Sequence, residues 1–229
     1  FWSNHFAISV DNRIVSIFAA PMEREAIRPH VTGRFSDLLL AVERHPGMLL
    51  YLDNQASIGD ASRAAINAAR RSAGTPKAGK RGLNENLARE IMELHTLGVN
   101  AGYSQQDVTE FARAITGWSV ARDNDRGGAD AFIFRANAHE PGSRRVFGKT
   151  YRQEGEAQGI AVLHTLAVHP ATAQHVSSQL ARHFVADTPP PKLVERMATA
   201  WLSSDGDLAT VYRAMIEDDT AWQLAARKF

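Results

Sequence analysis

Apolar residues along this chain recur mostly at intervals of three and four, the spacing of helices that bury one face. Phe1 to Ile8 reads as the last turns of a helix, and Ile14 to Ile27 as a second helical stretch that Pro21 must start, kink or split. Phe35, Leu38, Leu39 and Val42 keep helical spacing as far as His45-Pro46, where the residue before proline is driven out of the α region. Pro46 then opens a short helix through Tyr51. The best-marked helix runs from Asn84 to Leu97 and is closed by Gly98 as a C′ glycine. Ser104 and Asp107 outline a capping box for a helix from Gln105 to Thr116. Glu156 to Leu166, Pro170 to Val185, Pro191 to Leu202 and Leu208 to Ile216 follow, with a last segment from Thr220.

Two stretches break the pattern. Residues 54–82 carry small and polar side chains, five glycine or proline positions and the basic residues Arg70, Arg71, Lys77, Lys80 and Arg81. This predicts a mobile loop with a helical turn at Ala61 to Arg71, its basic cluster a solvated flap more readily than an anion-binding lid. Ala131 to Arg135, Arg145 to Phe147 and Lys149 to Tyr151 are short β-like runs around the turn His139-Glu-Pro-Gly142, which predicts one β-hairpin insertion over 129–151. The fold class is therefore mainly α: a multi-helix orthogonal or bundle-like single domain over 1–229 with a small β-hairpin insertion. Both ends read as boundaries cut from a longer protein, of which this would be the central part.

Composition narrows the chemistry more than it names it. With 26 basic and 25 acidic residues the net charge of +1 supplies no global field for nucleic acid or anionic membrane. The longest strongly apolar runs, Leu38 to Val42 and Met48 to Leu52, fall far short of the ~20 residues a bilayer span needs. The absence of cysteine removes disulfides, thiolate metal sites and Cys nucleophiles, so a metal would need His and carboxylates. No Gly-x-Ser-x-Gly, His-Glu-x-x-His or phosphate-binding Gly-x-x-x-x-Gly-Lys pattern is present, which argues against α/β serine hydrolases, zincins and P-loop NTPases.

The candidate chemistry gathers on the Asn84 to Leu97 helix. At ~100° per residue Glu85, Asn86, Arg89, Glu90 and Glu93 share an arc of roughly 140° opposite Leu87, Ile91 and Leu94. Two readings fit. Glu85 with Arg89, and Arg89 with Glu93, are i,i+4 ion pairs that any solvated helix carries. The same density of carboxylates also suits a helix that supplies ligands or acid–base groups to an interior site. His95 points some 160° from Glu93 at ideal helical pitch, so those two cannot share one metal. Of the nine histidines, His5 lies in an aromatic cluster and His139 in a turn beside Glu140. His30, His45 and His169 suit helix ends, where donors meet the last carbonyls, while His164, His175 and His183 fall on mixed helix faces.

The segments Phe1-Trp-Ser-Asn-His-Phe6, Arg34 to Val42, His45-Pro46 with Met48 to Leu52, Asn84-Glu-Asn-Leu-Ala-Arg-Glu90, Glu93-Leu-His-Thr-Leu-Gly98, Gly102 to Val108, Ala112 to Trp118, His169 to Ala173 and Ala181 to Val185 resemble the bacterial domain of unknown function 1800 family. The resemblance runs over essentially the whole chain. It departs at Arg144-Arg145, where the family has a lysine region, while Gly148-Lys149 is kept. It implies a longer, exported or periplasmic bacterial protein with further helices on both sides, encoded beside an exported sulfatase-like protein that would be a partner.

Two functions follow as expectations. In the first, an exported enzyme has a carboxylate–histidine pocket built from Phe1 to Phe6, the glutamate face and the His139 turn. Glu90, Glu93 and Arg89 would be its catalytic residues, and His5, Glu85 and His139 its ligands for a divalent metal. In the second, the chain is a non-catalytic helical scaffold or partner-binding module of an exported complex.

Overall fold

The computed structural model describes residues 1–72, 82–99, 101–125 and 130–222. Lys77, Lys80 and Arg81 of the expected basic flap lie outside these residues. Among the described residues the architecture is mainly α with two small antiparallel sheets. Helices α1 (Trp2–His5), α2 (Arg13–Met22), α3 (Phe35–Glu43) and α4 (Pro46–Tyr51) come first, then α5 (Arg63–Ser72), α6 (Asn86–Glu90) and α7 (Gln105–Ala114). After the sheets follow α8 (Glu156–Ala167), α9 (Pro170–Phe184), α10 (Pro191–Ser203) and α11 (Leu208–Ile216). No helix among the described residues is long and apolar enough to cross a membrane.

Local chemistry sets the helix ends. Ser104 and Asp107 form both halves of the capping box on α7. His45 and His169 cap helices too, but at the opposite end from the one expected: each Nδ1 accepts the backbone N–H two residues on, at 3.1 Å, with proline in the first turn. An imidazole that accepts here must be neutral, and burial lowers the pKa of both rings. Pro21 does not break its helix; α2 runs through it and rewinds as a π turn over Glu23–Ile27. A second π turn, Ile91–His95, continues α6. Such i→i+5 winding changes which residues share a face, which an ideal helical wheel misses.

The β content expected over 129–151 is present but pairs otherwise than as one hairpin. β1 (Trp118–Val120) pairs with β2 (Phe132–Phe134), and β3 (Arg144–Val146) with β4 (Lys149–Tyr151). Phe147 and Gly148 both take positive φ, 48° and 76°, the conformation of a tight two-residue hairpin turn. One continuous core joins the elements, with Phe6, Phe35, Phe111, Trp118 and Trp201 fully buried at its centre. The Trp201 indole N–H donates to the Ala167 carbonyl at 3.0 Å, and that of Trp2 to the Tyr212 hydroxyl at 2.6 Å, so their burial leaves neither polar atom unpaired.

Candidate functional site

The glutamate face is bonded to its neighbours. Glu85 accepts from the Thr109 hydroxyl at 2.6 Å, from the Gln105 amide at 2.7 Å and from Arg89 at 3.3 Å. Its pKa is lowered, chiefly by the Thr109 hydrogen bond. Arg89 also donates to the Gln105 side-chain oxygen at 2.8 Å and reaches Glu93 at 3.4 Å. Residues from α6 and α7 are thus laced together by satisfied polar groups, which is what the ion-pair spacing suggested. Glu90 is half-buried and has no hydrogen-bond or ion-pair partner among the described residues.

His5 does meet this helix, at its backbone. The His5 Nε2 lies 3.2 Å from the His95 carbonyl, and the His175 Nε2 3.3 Å from that of Leu94. These carbonyls belong to the helix end, where no intrahelical donor remains, so two neutral imidazoles cap two successive acceptors. Burial, with the His95 ring beside it, pushes the His5 pKa down to about 3; burial lowers that of His175 as well. His5 packs against Phe1, Trp2 and Phe6 and carries out a helix-capping task.

The partner of His95 is Glu43. The Glu43 Oε1 lies 2.7 Å from the His95 Nδ1, with Glu43 fully buried and its second oxygen unpaired among the described residues. A signal for this pair was present: Glu43 stands four residues after Leu39 and eight after Phe35, on the apolar stripe of α3, where a carboxylate needs a partner. Neither Glu85 nor His139 belongs to this cluster. Among the described residues no group of three or more His, Asp or Glu side chains is placed to hold a metal, so His5, Glu85 and His139 are not brought together.

His139 sits instead in a cleft of about 820 Å³ formed by residues 61–63, 141–143 and 152–155 with Phe134, Ala136 and Asn137. Three bonds staple the approach to α5 onto the His139 turn: Gly59 N–H to the Ala138 carbonyl at 2.9 Å, Ala64 N–H to that of Asn137 at 2.8 Å, and Ala61 N–H to the Glu140 Oε2 at 2.8 Å. Glu140 is buried beneath, its own N–H donating to the Thr116 hydroxyl at 2.8 Å. A Cβ on Gly59 would lie 2.7 Å from the Glu140 Cα, so only glycine permits this approach. On the far wall buried Gln158 donates to the Gly142 carbonyl at 3.0 Å and to that of Gln153 at 3.1 Å. The walls are therefore fixed by buried polar side chains.

Within the cleft the His139 Nδ1 stands 3.0 Å from the Thr116 carbonyl. A carbonyl only accepts, and the Thr116 hydroxyl, 3.4 Å from the same nitrogen, already donates to the Arg113 carbonyl at 2.6 Å, so Nδ1 carries the proton and Nε2 keeps its lone pair in the neutral ring. Burial, helped by the charge of Arg144, lowers the His139 pKa and favours that neutral form. Nε2 has no partner among the described residues. Exposed Arg63, Arg152 and Glu154 border the same space. The sequence flags the His139 turn; it does not place residues 61–63 there, which come from a segment remote in the chain, nor residues 152–155, whose position depends on how the β3–β4 hairpin folds back.

No curated protein and no solved structure matches this chain. The family model described as protein of unknown function (DUF1800) matches residues 1–229, the whole chain. This protein is a member of the DUF1800 family.

Proposed function

We propose that the chain is an enzyme domain whose substrate binds in the His139 cleft, with His139 as the general base. The observation that carries this reading is the contact of the His139 Nδ1 with the Thr116 carbonyl, which selects the tautomer protonated at Nδ1. The Thr116 carbonyl oxygen lies 3.0 Å from Nδ1, and the ring lines a cleft of about 820 Å³, within the size range of small-ligand sites. A neutral imidazole with a free Nε2 takes a proton from a hydroxyl or a water, and the Thr116 carbonyl then stabilises the cation at Nδ1. Glu140 and Gln158 are positioning residues. The family resemblance adds an exported location and a sulfatase-like neighbour to this proposal, and neither enters the argument from the cleft.

A fragment library followed by protein-observed NMR tests it. Fragments bearing hydroxyl groups should perturb residues 61–63, His139 and 152–155, and His139→Gln should abolish the response at the ring position while leaving the fold intact. Fragments that cluster elsewhere in the molecule overturn the reading. The scaffold alternative has its own support, since Glu85, Arg89 and Glu93 form a satisfied lattice with α7. It predicts that no fragment selects the cleft.

A further inference from the structure

We infer that the cleft grips its ligand through an oxyanion group, a carboxylate, phosphate or sulfate, held between Arg63 and Arg152. The inference rests on the reading above for the place where substrate binds and adds the chemical class of that substrate.

The two arginines come from different walls. Arg63 is the first residue of α5 and Arg152 follows β4, and both border the cleft that contains His139. Neither guanidinium has an ion pair or hydrogen bond among the described residues. The arginines of the surrounding framework differ: Arg113 and Arg144 are bound to Glu110 at 2.6 Å and 3.3 Å. Those two are structural, whereas Arg63 and Arg152 line the open space with no acceptor of their own among the described residues.

The rest of the lining agrees. Asn137 and Ser143 add side-chain donors that are also without partners among the described residues. The one carboxylate on the wall, Glu154, contacts neither arginine. Two cations, several neutral donors and one anion give a donor-rich surface, the complement of a planar or tetrahedral oxyanion that arginine binds through two parallel N–H bonds. With about 820 Å³ available, an oxyanion fills only part of the cleft and the remainder of the ligand extends toward the His139 Nε2. The anion is therefore a handle, and the group that surrenders a proton to His139 is a separate part of the same molecule.

Calorimetric titration of the full chain at fixed ionic strength tests the handle, with inorganic phosphate and succinate as probes. At least one probe should bind, and the stronger of the two identifies the oxyanion type. Arg63→Gln and Arg152→Gln should each weaken that binding by about tenfold, the loss of a charge-assisted bidentate contact. Glu154→Gln should strengthen it by removing a like charge. Circular dichroism of each variant confirms the fold. Failure of both probes to bind, or unchanged affinity in both arginine variants, overturns the inference. Should that happen while hydroxyl fragments still perturb His139, the anion handle falls and the acid–base cleft stands. Should the anions bind as expected while no fragment reaches His139, the reverse holds.

Discussion

The buried Glu43–His95 pair permits a quantitative prediction. Glu43→Ala removes the 2.7 Å hydrogen bond, leaves the His95 Nδ1 facing a site closed to water, and opens a void beside the His95 ring, which itself packs against Phe6 at a centroid distance of 5.1 Å. An orphaned buried donor costs about 1–3 kcal/mol, and the truncated side chain adds a cavity term, so the expected loss is about 2–4 kcal/mol. His95→Ala should cost a similar amount, because it orphans both oxygens of a carboxyl group that already has one unpaired. The double variant then loses much less than the sum of the two, by about 1–3 kcal/mol, since each single change has already broken the shared bond. Urea midpoints at unchanged m-value measure all three differences. Losses that add independently, or a Glu43→Ala cost below about 1 kcal/mol, would refute the claim that the pair is coupled.

Other outcomes follow from the same geometry. His5 is held neutral when folded, with a pKa of about 3 against 6.5 for the free ring, so the folded state binds fewer protons and stability rises with pH across that interval. The contribution is complete above about pH 7 and fades as pH falls toward 3; about 2–3 kcal/mol should be lost by pH 4.5, and His5→Asn should flatten the acid limb of a stability–pH curve. An unchanged limb would mean that the ring is solvated. Gly59→Ala should destabilise by about 1–3 kcal/mol and shift the His139 amide in NMR spectra, because the added Cβ meets the Glu140 backbone at 2.7 Å. Ser104→Ala should cost about 1 kcal/mol in thermal unfolding through loss of the α7 cap, with little effect on cleft residues.

The sequence was most legible where one interaction decides the outcome locally. The α3, α7, α9 and α10 helices follow from apolar spacing, from proline at a first turn and from the Ser104 box, all of which act within a few residues. Strand pairing was less legible. Phe132–Phe134 resembles a strand by composition, but its choice of Trp118–Val120 over the nearer Arg144–Val146 depends on which faces the core buries. The π turn at Ile91–His95 was invisible because a helical wheel assumes constant pitch, and that turn sets the direction of His95. His45 and His169 were assigned to helix ends correctly but to the wrong polarity, since an imidazole accepts as well as donates. Of the conspicuous glutamates Glu85 and Glu93 proved to be lacing while Glu90 has no partner among the described residues, and the inconspicuous Glu43 proved to be the fully buried one. A cluster on one helix face advertises itself in sequence; a partner 52 residues away does not.

The state of the His139 ring carries the account. Imidazole ¹⁵N spectra of selectively labelled protein at pH 7 report it directly, distinguishing the two neutral tautomers from the cation. The account predicts a neutral ring protonated at Nδ1, with Nε2 bare and a pKa below the ordinary histidine value. A ring protonated at Nε2, or one that is cationic at neutral pH, would contradict it.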